Sequence, residues 1–295
     1  MSAASRSGAP GQDSAVGGEF AFTDADFKQI AAILYADSGI HLPDTKATLV
    51  YSRLAKRLRA IGLRSFKEYC ALVSGAEGIG ERQAMLTALT TNVTRFFREP
   101  HHFEHLKAQV LPPLIEKARR GGRIRFWSAG CSTGQEPYSM ALTLLSAFPT
   151  AADHDVKILA SDIDTNVLAE AEAGEYGQDV IGAIPADMRG RWLETVKGSD
   201  GLRWRIGAQA RALVAFRELN LIGNWPMRGR FDVIFCRNVA IYFDDPTQER
   251  LWDRFANVLT EQGRLYVGHS ERVQSALCVP DGLTTYRRAG GAASV

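Results

Sequence analysis

The chain has 295 residues, of which 45% are apolar and 23% charged, enough for one large or two modest globular domains, each with a buried core. Its 35 lysines and arginines against 33 aspartates and glutamates give a formal net charge of +2, which excludes a protein whose whole surface binds nucleic acid. The sequence has no apolar run of membrane-spanning length and no apolar signal segment near its start, so we expect a cytoplasmic protein without membrane insertion.

The first predicted domain is a small helical one over residues 19–92, after a leader at residues 1–18 that is expected to be disordered because it has few apolar groups. Thr23 followed by acidic residues is typical of a helix N-terminus, and apolar residues then recur at helical spacing to about Ala36. The same periodicity predicts further helices at 47–61, 66–72 and 82–89.

Beyond residue 123 the pattern changes to alternating strands and helices, which predicts a doubly wound, mostly parallel α/β sheet over residues 106–287 and a flexible tail at 288–295. The predicted strands lie at 124–128, 156–161, 231–236 and 264–268, and the helices at 166–173 and 248–259. Two more strand-like runs, 201–206 and 212–216, are too close together for a crossover helix. They predict an inserted antiparallel β-subdomain at about residues 184–217.

A glycine-containing loop follows the first of these strands. Gly130 and Gly134 allow a tight turn and the close approach of a ligand to the backbone. The loop has neither the Gly-Lys-Ser/Thr of a phosphate-binding loop nor the G-x-G-x-x-G of a dinucleotide fold. Asp162, at the end of the second strand, adds a carboxylate that can accept both hydroxyls of a ribose. Loop and acid together predict a site for a nucleoside cofactor.

Five segments carry motifs in a fixed order: TTNVTRFFRE at 90–99, SAGCSTGQEPYS at 128–139, SDID at 161–164, NL at 220–221 and FCRNVAIYF at 235–243. Together they resemble CheR, the family of chemotaxis receptor methyltransferases, over about residues 20–285. The resemblance implies a class I, Rossmann-like enzyme that forms γ-glutamyl methyl esters on methyl-accepting chemotaxis receptors, with S-adenosylmethionine as methyl donor and S-adenosylhomocysteine as product. It also implies an all-helical N-terminal domain and a linker at 93–105. Gln135 stands where the family often has Glu, but Glu136 keeps a carboxylate.

The resemblance also implies roles for individual residues. The implied cofactor-binding residues are Asn92, Thr94, Arg98, Gly130, Glu136, Asp162, Asn220, Leu221, Arg237 and Asn238. We expect Arg98 and Tyr242 to be catalytic by orienting the substrate glutamate. No general base is expected, because a glutamate with a reference pKa of about 4.3 is already ionised at neutral pH. The enzyme then contributes mainly by aligning the reactants and excluding water.

The predicted helix at 47–61 has one basic and one apolar face. Its basic residues are Arg53, Lys56, Arg57 and Arg59, opposite Leu54, Leu58 and Ile61. We expect the basic face to point away from the apolar stripe and to dock the acidic helices of a receptor's cytoplasmic domain, as the resemblance implies for the helical domain. The alternative is an ordinary solvated face.

Two groups of metal-ligand residue types are interpreted as structural. His101, His102 and His105 lie beside glutamates, but no further ligand group exists elsewhere, so we predict a solvated helix start and no metal. The cysteines have no C-x-x-C spacing and are predicted to be reduced thiols. They are Cys70, Cys131, Cys236 and Cys278.

Two other functions are compatible with the same sheet. A methyltransferase of nucleic acid or of a small molecule is disfavoured, because Arg237-Asn238 stands where many nucleic-acid N-methyltransferases have an N-P-P-Y-type motif. A non-catalytic module that senses S-adenosylmethionine or tethers to a receptor is disfavoured because Arg98, Asp162 and Tyr242 are all present.

Overall fold

The computed structural model describes residues 14–16, 18–198 and 201–290. The chain divides into two compact units, Met1–Thr90 and Thr91–Val295. No helix in the described ranges is both long and apolar enough to cross a membrane.

The first unit contains the four helices that the sequence predicts. They are α1 (Asp24–Ser38), α2 (Ala47–Ile61), α3 (Phe66–Ser74) and α4 (Ile79–Leu89). Thr23 caps α1: its hydroxyl accepts from the Asp26 amide at 3.2 Å, and the Asp26 carboxylate accepts from the Thr23 amide at 2.9 Å. Gly62, with φ +73°, ends α2 in the left-handed conformation that glycine adopts without strain.

Part of the predicted disordered leader forms a strand. Ser14–Val16 (β1) pairs antiparallel with Phe22–Thr23 (β2), so the prediction is wrong for these residues. The reason is that β2 supplies backbone hydrogen-bond partners, which composition alone does not reveal. Leader residues 1–13 and 17 lie outside the described residues.

The strands of the second unit form a large and a small sheet. In chain order they are β3 (Ile124–Ala129), β4 (Val156–Asp162), β5 (Glu175–Tyr176), β6 (Leu193–Gly198), β7 (Gly201–Ile206), β8 (Val214–Glu218), β9 (Phe231–Cys236), β10 (Leu259–Val267), β11 (Cys278–Gly282) and β12 (Thr285–Arg288). The large sheet has the order β11-β12-β10-β9-β3-β4-β8, parallel from β8 to β10 and antiparallel at β12 and β11. The winding reverses between β3 and β9, and open α/β sheets bind ligands at such a switch point.

Helices flank these strands. They are α5 (Pro100–His105), a π-helical turn (Leu106–Val110), α6 (Leu111–Arg119), α7 (Gln135–Ala147), α8 (Thr165–Ala173), α9 (Gln178–Ile181), α10 (Ala186–Trp192), α11 (Ala208–Leu213) and α12 (Asp245–Val258). Strand β9 is buried along its whole length, as expected for an inner strand of a parallel sheet covered on both faces. The predicted fold class is confirmed.

The small sheet differs from its predicted form. Strands β5, β7 and β6 pair antiparallel in that order, so the subdomain begins at Glu175 and its last strand ends at Ile206. The run at 212–216 was expected to join it, but β8 pairs in parallel with β4 at the edge of the large sheet. The connection between β7 and β8 does contain a helix, α11. With six residues, α11 is shorter than the crossover helix that we considered when the two runs were predicted to pair with each other.

Candidate active site

The glycine loop after β3 folds tightly over the ends of β3 and β4. The Gly130 amide donates to the Ser161 carbonyl at 2.8 Å, and Gly130 has φ +79°. A Cβ at Gly130 would lie 2.3 Å from Val239 Cγ2, and one at Gly134, with φ +91°, would lie 2.9 Å from the Tyr176 hydroxyl. Only glycine fits these two positions. The loop therefore forms a close-packed cradle at the switch point.

Asp162 lies at the carboxyl end of β4 and is 8% exposed. Its Oδ2 accepts from the Ser132 amide at 2.8 Å, and its Oδ1 accepts from the Asp164 amide at 3.1 Å. Burial raises the pKa of Asp162, and these amides oppose the rise. The Ile163 amide also bonds to this carboxylate. An ionised carboxylate has about four acceptor sites, so Asp162 retains acceptor capacity for a ribose hydroxyl.

Asn92 ties the linker to this region. Its Nδ2 donates to Asp164 Oδ2 at 2.9 Å, and its carbonyl accepts from the Ser132 hydroxyl at 2.8 Å. Thr94 and Arg98 are half-buried further along the linker, where Arg98 Nη1 donates to a backbone carbonyl at 3.2 Å. The structure thus places Asn92 beside Asp162 through two shared neighbours.

Glu136 and Arg237 form a buried ion pair. Arg237 Nε donates to Glu136 Oε2 at 2.7 Å, and the Ser128 hydroxyl donates to Glu136 Oε1 at 2.7 Å. Arg237 also donates to the carbonyl of Arg98. Arg237 directly follows β9, is 7% exposed, and connects Glu136 of α7 to the linker. These two predicted cofactor ligands bind first to the protein itself.

Asn238 is the second residue after β9 and has φ +59°. Its Oδ1 is buried and has no hydrogen-bond partner among the residues described. Leaving a buried acceptor unpaired costs about 1–3 kcal/mol, so a donor from a bound ligand would stabilise it. An ammonium or amino group is the natural partner.

The remaining predicted site residues also lie at strand ends. Tyr242 is half-buried at the end of a 3-10 turn after β9. Asn220 follows β8, where its Oδ1 accepts from the Ile222 amide at 3.0 Å, and the neighbouring Leu221 is buried. The predicted residues at the ends of β3, β4, β8 and β9 therefore lie along the edge at which open α/β sheets bind ligands.

Glu271 is a site residue that sequence reasoning missed. It lies after β10, is 2% exposed, and accepts from amides of the loop that carries Asn238 and Tyr242. Its position in a polar segment just after a buried strand end was the available signal, since that edge of a parallel sheet carries ligand sites.

The predicted solvated start of α5 is wrong. His102 is fully buried, with Nε2 at 2.7 Å from Thr284 Oγ1, and His105 Nδ1 lies 2.9 Å from the Tyr266 hydroxyl. Burial, together with the nearby Arg237, lowers the pKa of His102 to about 3, so it is neutral at neutral pH. The sequence could not show this, because Thr284 and Tyr266 are distant in the chain.

Glu99, His101 and His102 could in principle hold a metal ion, because their ligand atoms lie within 4.8 Å of one another. Arg237 Nη1, however, is 3.2 Å from His102 Nδ1 and 3.7 Å from Glu99 Oε2. A guanidinium cation already occupies this neighbourhood and would repel a second cation.

Two residues of the predicted docking face point into the helical unit. Arg53 Nη1 donates to carbonyl oxygens at the end of α4, those of Ala88, Leu89 and Thr90 at 3.3, 2.9 and 2.6 Å. Arg57 forms an ion pair of 2.6 Å with Glu81 of α4. The expectation that both face away from the packed side is wrong, because α2 contacts α4 along a flank that the apolar stripe does not mark.

The other two basic residues are at the surface. Lys56 is exposed, and Arg59 is exposed and pairs with Glu19 at 2.7 Å. Exposed ion pairs of this kind contribute little to stability. Lys56 and Arg59 are thus the part of the predicted face available to a partner.

Two family models match the chain. The model described as CheR methyltransferase, SAM binding domain, matches residues 92–279, which is more than half of the chain. The model described as CheR methyltransferase, all-alpha domain, matches residues 25–90. The two matches follow the two compact units.

Several relatives are similar over most of their length. A probable chemotaxis protein methyltransferase of Rhizobium etli is 53% identical over 86% of this chain and 96% of that protein. Chemotaxis protein methyltransferase 2 of Pseudomonas aeruginosa is 45% identical over 86% of this chain and 88% of that protein. The chemotaxis protein methyltransferase of Escherichia coli is 42% identical over 85% of each chain. The chain therefore belongs to the CheR family of S-adenosylmethionine-dependent chemotaxis methyltransferases.

Proposed function

We propose that this protein methylates glutamate side chains of methyl-accepting chemotaxis receptors in the cytoplasm and forms γ-glutamyl methyl esters. The observation that carries the proposal is the pair of unfilled acceptor positions at the switch point, on Asp162 and on Asn238 Oδ1, in a member of this family. They suit the ribose hydroxyls and the methionine ammonium of S-adenosylmethionine.

The residues present fit that cofactor. Asp162 would accept from the ribose hydroxyls, and Asn238 Oδ1 would accept from the ammonium of the methionine end. Gly130 lets the glycine loop pack against Val239, which a Cβ at this position would prevent. Bound S-adenosylmethionine supplies an electrophilic methyl group on a sulfonium.

The substrate carboxylate needs orientation more than activation. It is ionised at neutral pH, so the chain's task is to align it and to exclude water. A neutral donor such as the Tyr242 hydroxyl orients a carboxylate without binding it as tightly as a guanidinium does. Strong ground-state binding of the nucleophile would reduce its reactivity. We therefore assign the glutamate mainly to Tyr242, and Arg98 partly to the cofactor's carboxylate.

Receptor docking is assigned to the exposed part of α2. Lys56 and Arg59 present positive charge to an acidic helix of the receptor's cytoplasmic domain, whereas Arg53 and Arg57 are engaged with α4. The proposed partner is thus recognised by charge on the helical unit.

The test is incubation with methyl-labelled S-adenosylmethionine and receptor cytoplasmic fragments, followed by treatment with base. Label released as methanol supports a glutamyl ester. Label that stays on the receptor after base, or that appears on nucleic acid or a small molecule instead, supports another substrate class. Cofactor binding without any transfer supports a sensing module.

A further inference from the structure

We propose that Glu271 is a positioning residue for methyl transfer: its buried carboxylate holds the loop with Asn238 and Tyr242 in the shape that the reaction needs. This inference rests on the proposed function, because these two side chains affect catalysis only if the crevice binds cofactor and glutamate. Glu271 itself lies behind the loop and contacts its backbone.

The Glu271 carboxylate is surrounded by backbone donors. Its Oε1 accepts three hydrogen bonds and its Oε2 accepts two, at 2.6 to 3.3 Å. The donors are the amides of Asn238, Val239, Ala240, Ile241 and Gly268. At 2% exposure, water competes little for these bonds. Four consecutive amides of one loop thus converge on a single carboxylate.

The same loop backbone then sets the position of Tyr242. Val239 donates to Glu271, and its carbonyl accepts from the Tyr242 amide at 3.1 Å, so one peptide segment links the two residues. Asn238 has φ +59°, in the left-handed region that asparagine adopts more often than most residues other than glycine. Its backbone amide donates a hydrogen bond to Glu271 Oε2 at 2.8 Å, which fixes this residue within the loop.

The same loop also packs against the glycine loop that follows β3. Val239 packs so closely on Gly130 that a Cβ there would be 2.3 Å from Val239 Cγ2. At Gly268, a Cβ would be 2.7 Å from Asn238 Nδ2 and 2.9 Å from Glu271 Oε2. A displaced Glu271 would therefore disturb both the unpaired Asn238 acceptor and the glycine loop.

The chemistry requires an acceptor with no donor of its own. A glutamine has the same shape, but its NH₂ would face at least two backbone donors in either orientation. An aspartate keeps two acceptor oxygens, but its side chain is shorter by one methylene group. These two variants therefore separate the hydrogen-bonding role of Glu271 from its size.

The experiment compares Glu271→Gln and Glu271→Asp with Glu261→Gln, a control at an exposed glutamate on β10. Hydrogen exchange is measured in peptides covering 238–243, β3 and β4, and kcat and KM are measured for receptor methylation at saturating S-adenosylmethionine. Glu271→Gln is expected to speed exchange at 238–243 at least tenfold, leave β3 and β4 unchanged, and lower kcat at least tenfold with an unchanged receptor KM. Glu271→Asp should recover part of both losses, and Glu261→Gln should match the wild type.

Wild-type kcat in Glu271→Gln overturns the proposal, whether or not local exchange changes. If Glu271→Gln unfolds the whole unit, the Glu271→Asp variant becomes the test. A wild-type kcat in that variant overturns the proposal, and a reduced kcat with faster hydrogen exchange confined to 238–243 supports it. If the wild type transfers no methyl group to receptor, the proposed function fails separately. The positioning role of Glu271 is then tested by hydrogen exchange at 238–243 and by the affinity for S-adenosylhomocysteine. If both are unchanged in Glu271→Gln, the positioning role is overturned.

Discussion

At the carboxyl ends of β4 and β9, the acceptors on Asp162 and Asn238 differ in what already surrounds them. The Asp162 carboxylate accepts from the amides of Ser132, Asp164 and Ile163, so it both holds the glycine loop and keeps acceptor capacity for a ligand. Asn238 Oδ1 has no partner in the described part of the chain, so it can accept from a donor of a bound ligand. Cofactor affinity should therefore depend on both side chains.

Asp162→Ala is expected to weaken S-adenosylhomocysteine binding at least tenfold. Each hydrogen bond to a charged acceptor contributes about 1.5–3 kcal/mol, and about 1.4 kcal/mol is a factor of ten. Calorimetry on the variant, with circular dichroism to confirm folding, measures the loss. Glu172→Ala, at an exposed acid of α8, is the control. Unchanged affinity in a folded Asp162 variant would remove Asp162 from the site.

Tyr242→Phe is expected to lower turnover much more than cofactor affinity, because the hydroxyl is assigned to the glutamate and not to the ribose or adenine. Turnover at saturating receptor should fall at least tenfold, while the Kd for S-adenosylhomocysteine stays within about twofold. A variant with full turnover would assign Tyr242 to packing alone.

His102 predicts a defined response to acid. Its pKa is about 3 in the folded protein and 6.5 ordinarily, so only the unfolded chain binds the proton between these values. The contribution of His102 to the free energy of unfolding is fully present above pH 6.5. It is lost as the pH falls toward about 3, at up to about 1.4 kcal/mol per pH unit. Urea unfolding of the wild type and His102→Gln should show a stability difference that shrinks between about pH 7.5 and about pH 5. A constant difference would contradict the lowered pKa.

Among the secondary-structure elements, α2 illustrates how a basic helix can be structural on one flank and exposed on another. Arg53 supplies donors to carbonyls at the end of α4 that the helix itself leaves unpaired. Arg53→Ala should therefore destabilise the protein by about 1–3 kcal/mol. Lys56→Ala, which removes an exposed charge on the same helix, should change stability by less than about 0.5 kcal/mol. Equal urea midpoints for the two variants would show that the Arg53 contacts contribute nothing.

The sequence predicted elements well where the local pattern decides. The cap at Thr23 and the buried runs of β3, β4 and β9 are local features, and the structure has them. The pairing of β8 with β4 joins residues that are far apart in the chain, so no local pattern could predict it. Because α11 is only six residues long, the expected pairing of this run within the small antiparallel sheet was the simpler prediction.

Site prediction was limited in the same way. Glycines and acids at strand ends follow from topology, so Gly130 and Asp162 could be predicted. Glu271 acts on backbone amides rather than through a motif, and the burial of His102 depends on residues far along the chain. Such interactions are visible only in three dimensions.

For the whole molecule, the near balance of charge means that the proposed receptor docking must come from a local patch. Lys56→Glu with Arg59→Glu should reduce methylation at limiting receptor and leave S-adenosylhomocysteine affinity unchanged. The Arg59–Glu19 surface pair is lost at little cost. Lys28→Glu with Lys67→Glu, exposed lysines of α1 and α3, changes the net charge equally and serves as the control.

Salt provides a second readout of the same patch. The wild-type rate at limiting receptor should decline as the Debye length contracts from about 30 Å at 0.01 M to about 8 Å at 0.15 M ionic strength. The Lys56 and Arg59 double variant should lose that dependence. Wild-type rates for this variant at every ionic strength would mean that the patch is only solvated.

The most direct test of the central claim is the chemical form of the transferred methyl group. Receptor cytoplasmic fragments are incubated with the protein and methyl-labelled S-adenosylmethionine, then treated with base, and the volatile label is measured. We expect label on receptor glutamates that is released as methanol, and little label with Asp162→Ala or Tyr242→Phe. Label that resists base, or receptor that stays unlabelled while the folded protein binds S-adenosylhomocysteine, would contradict it.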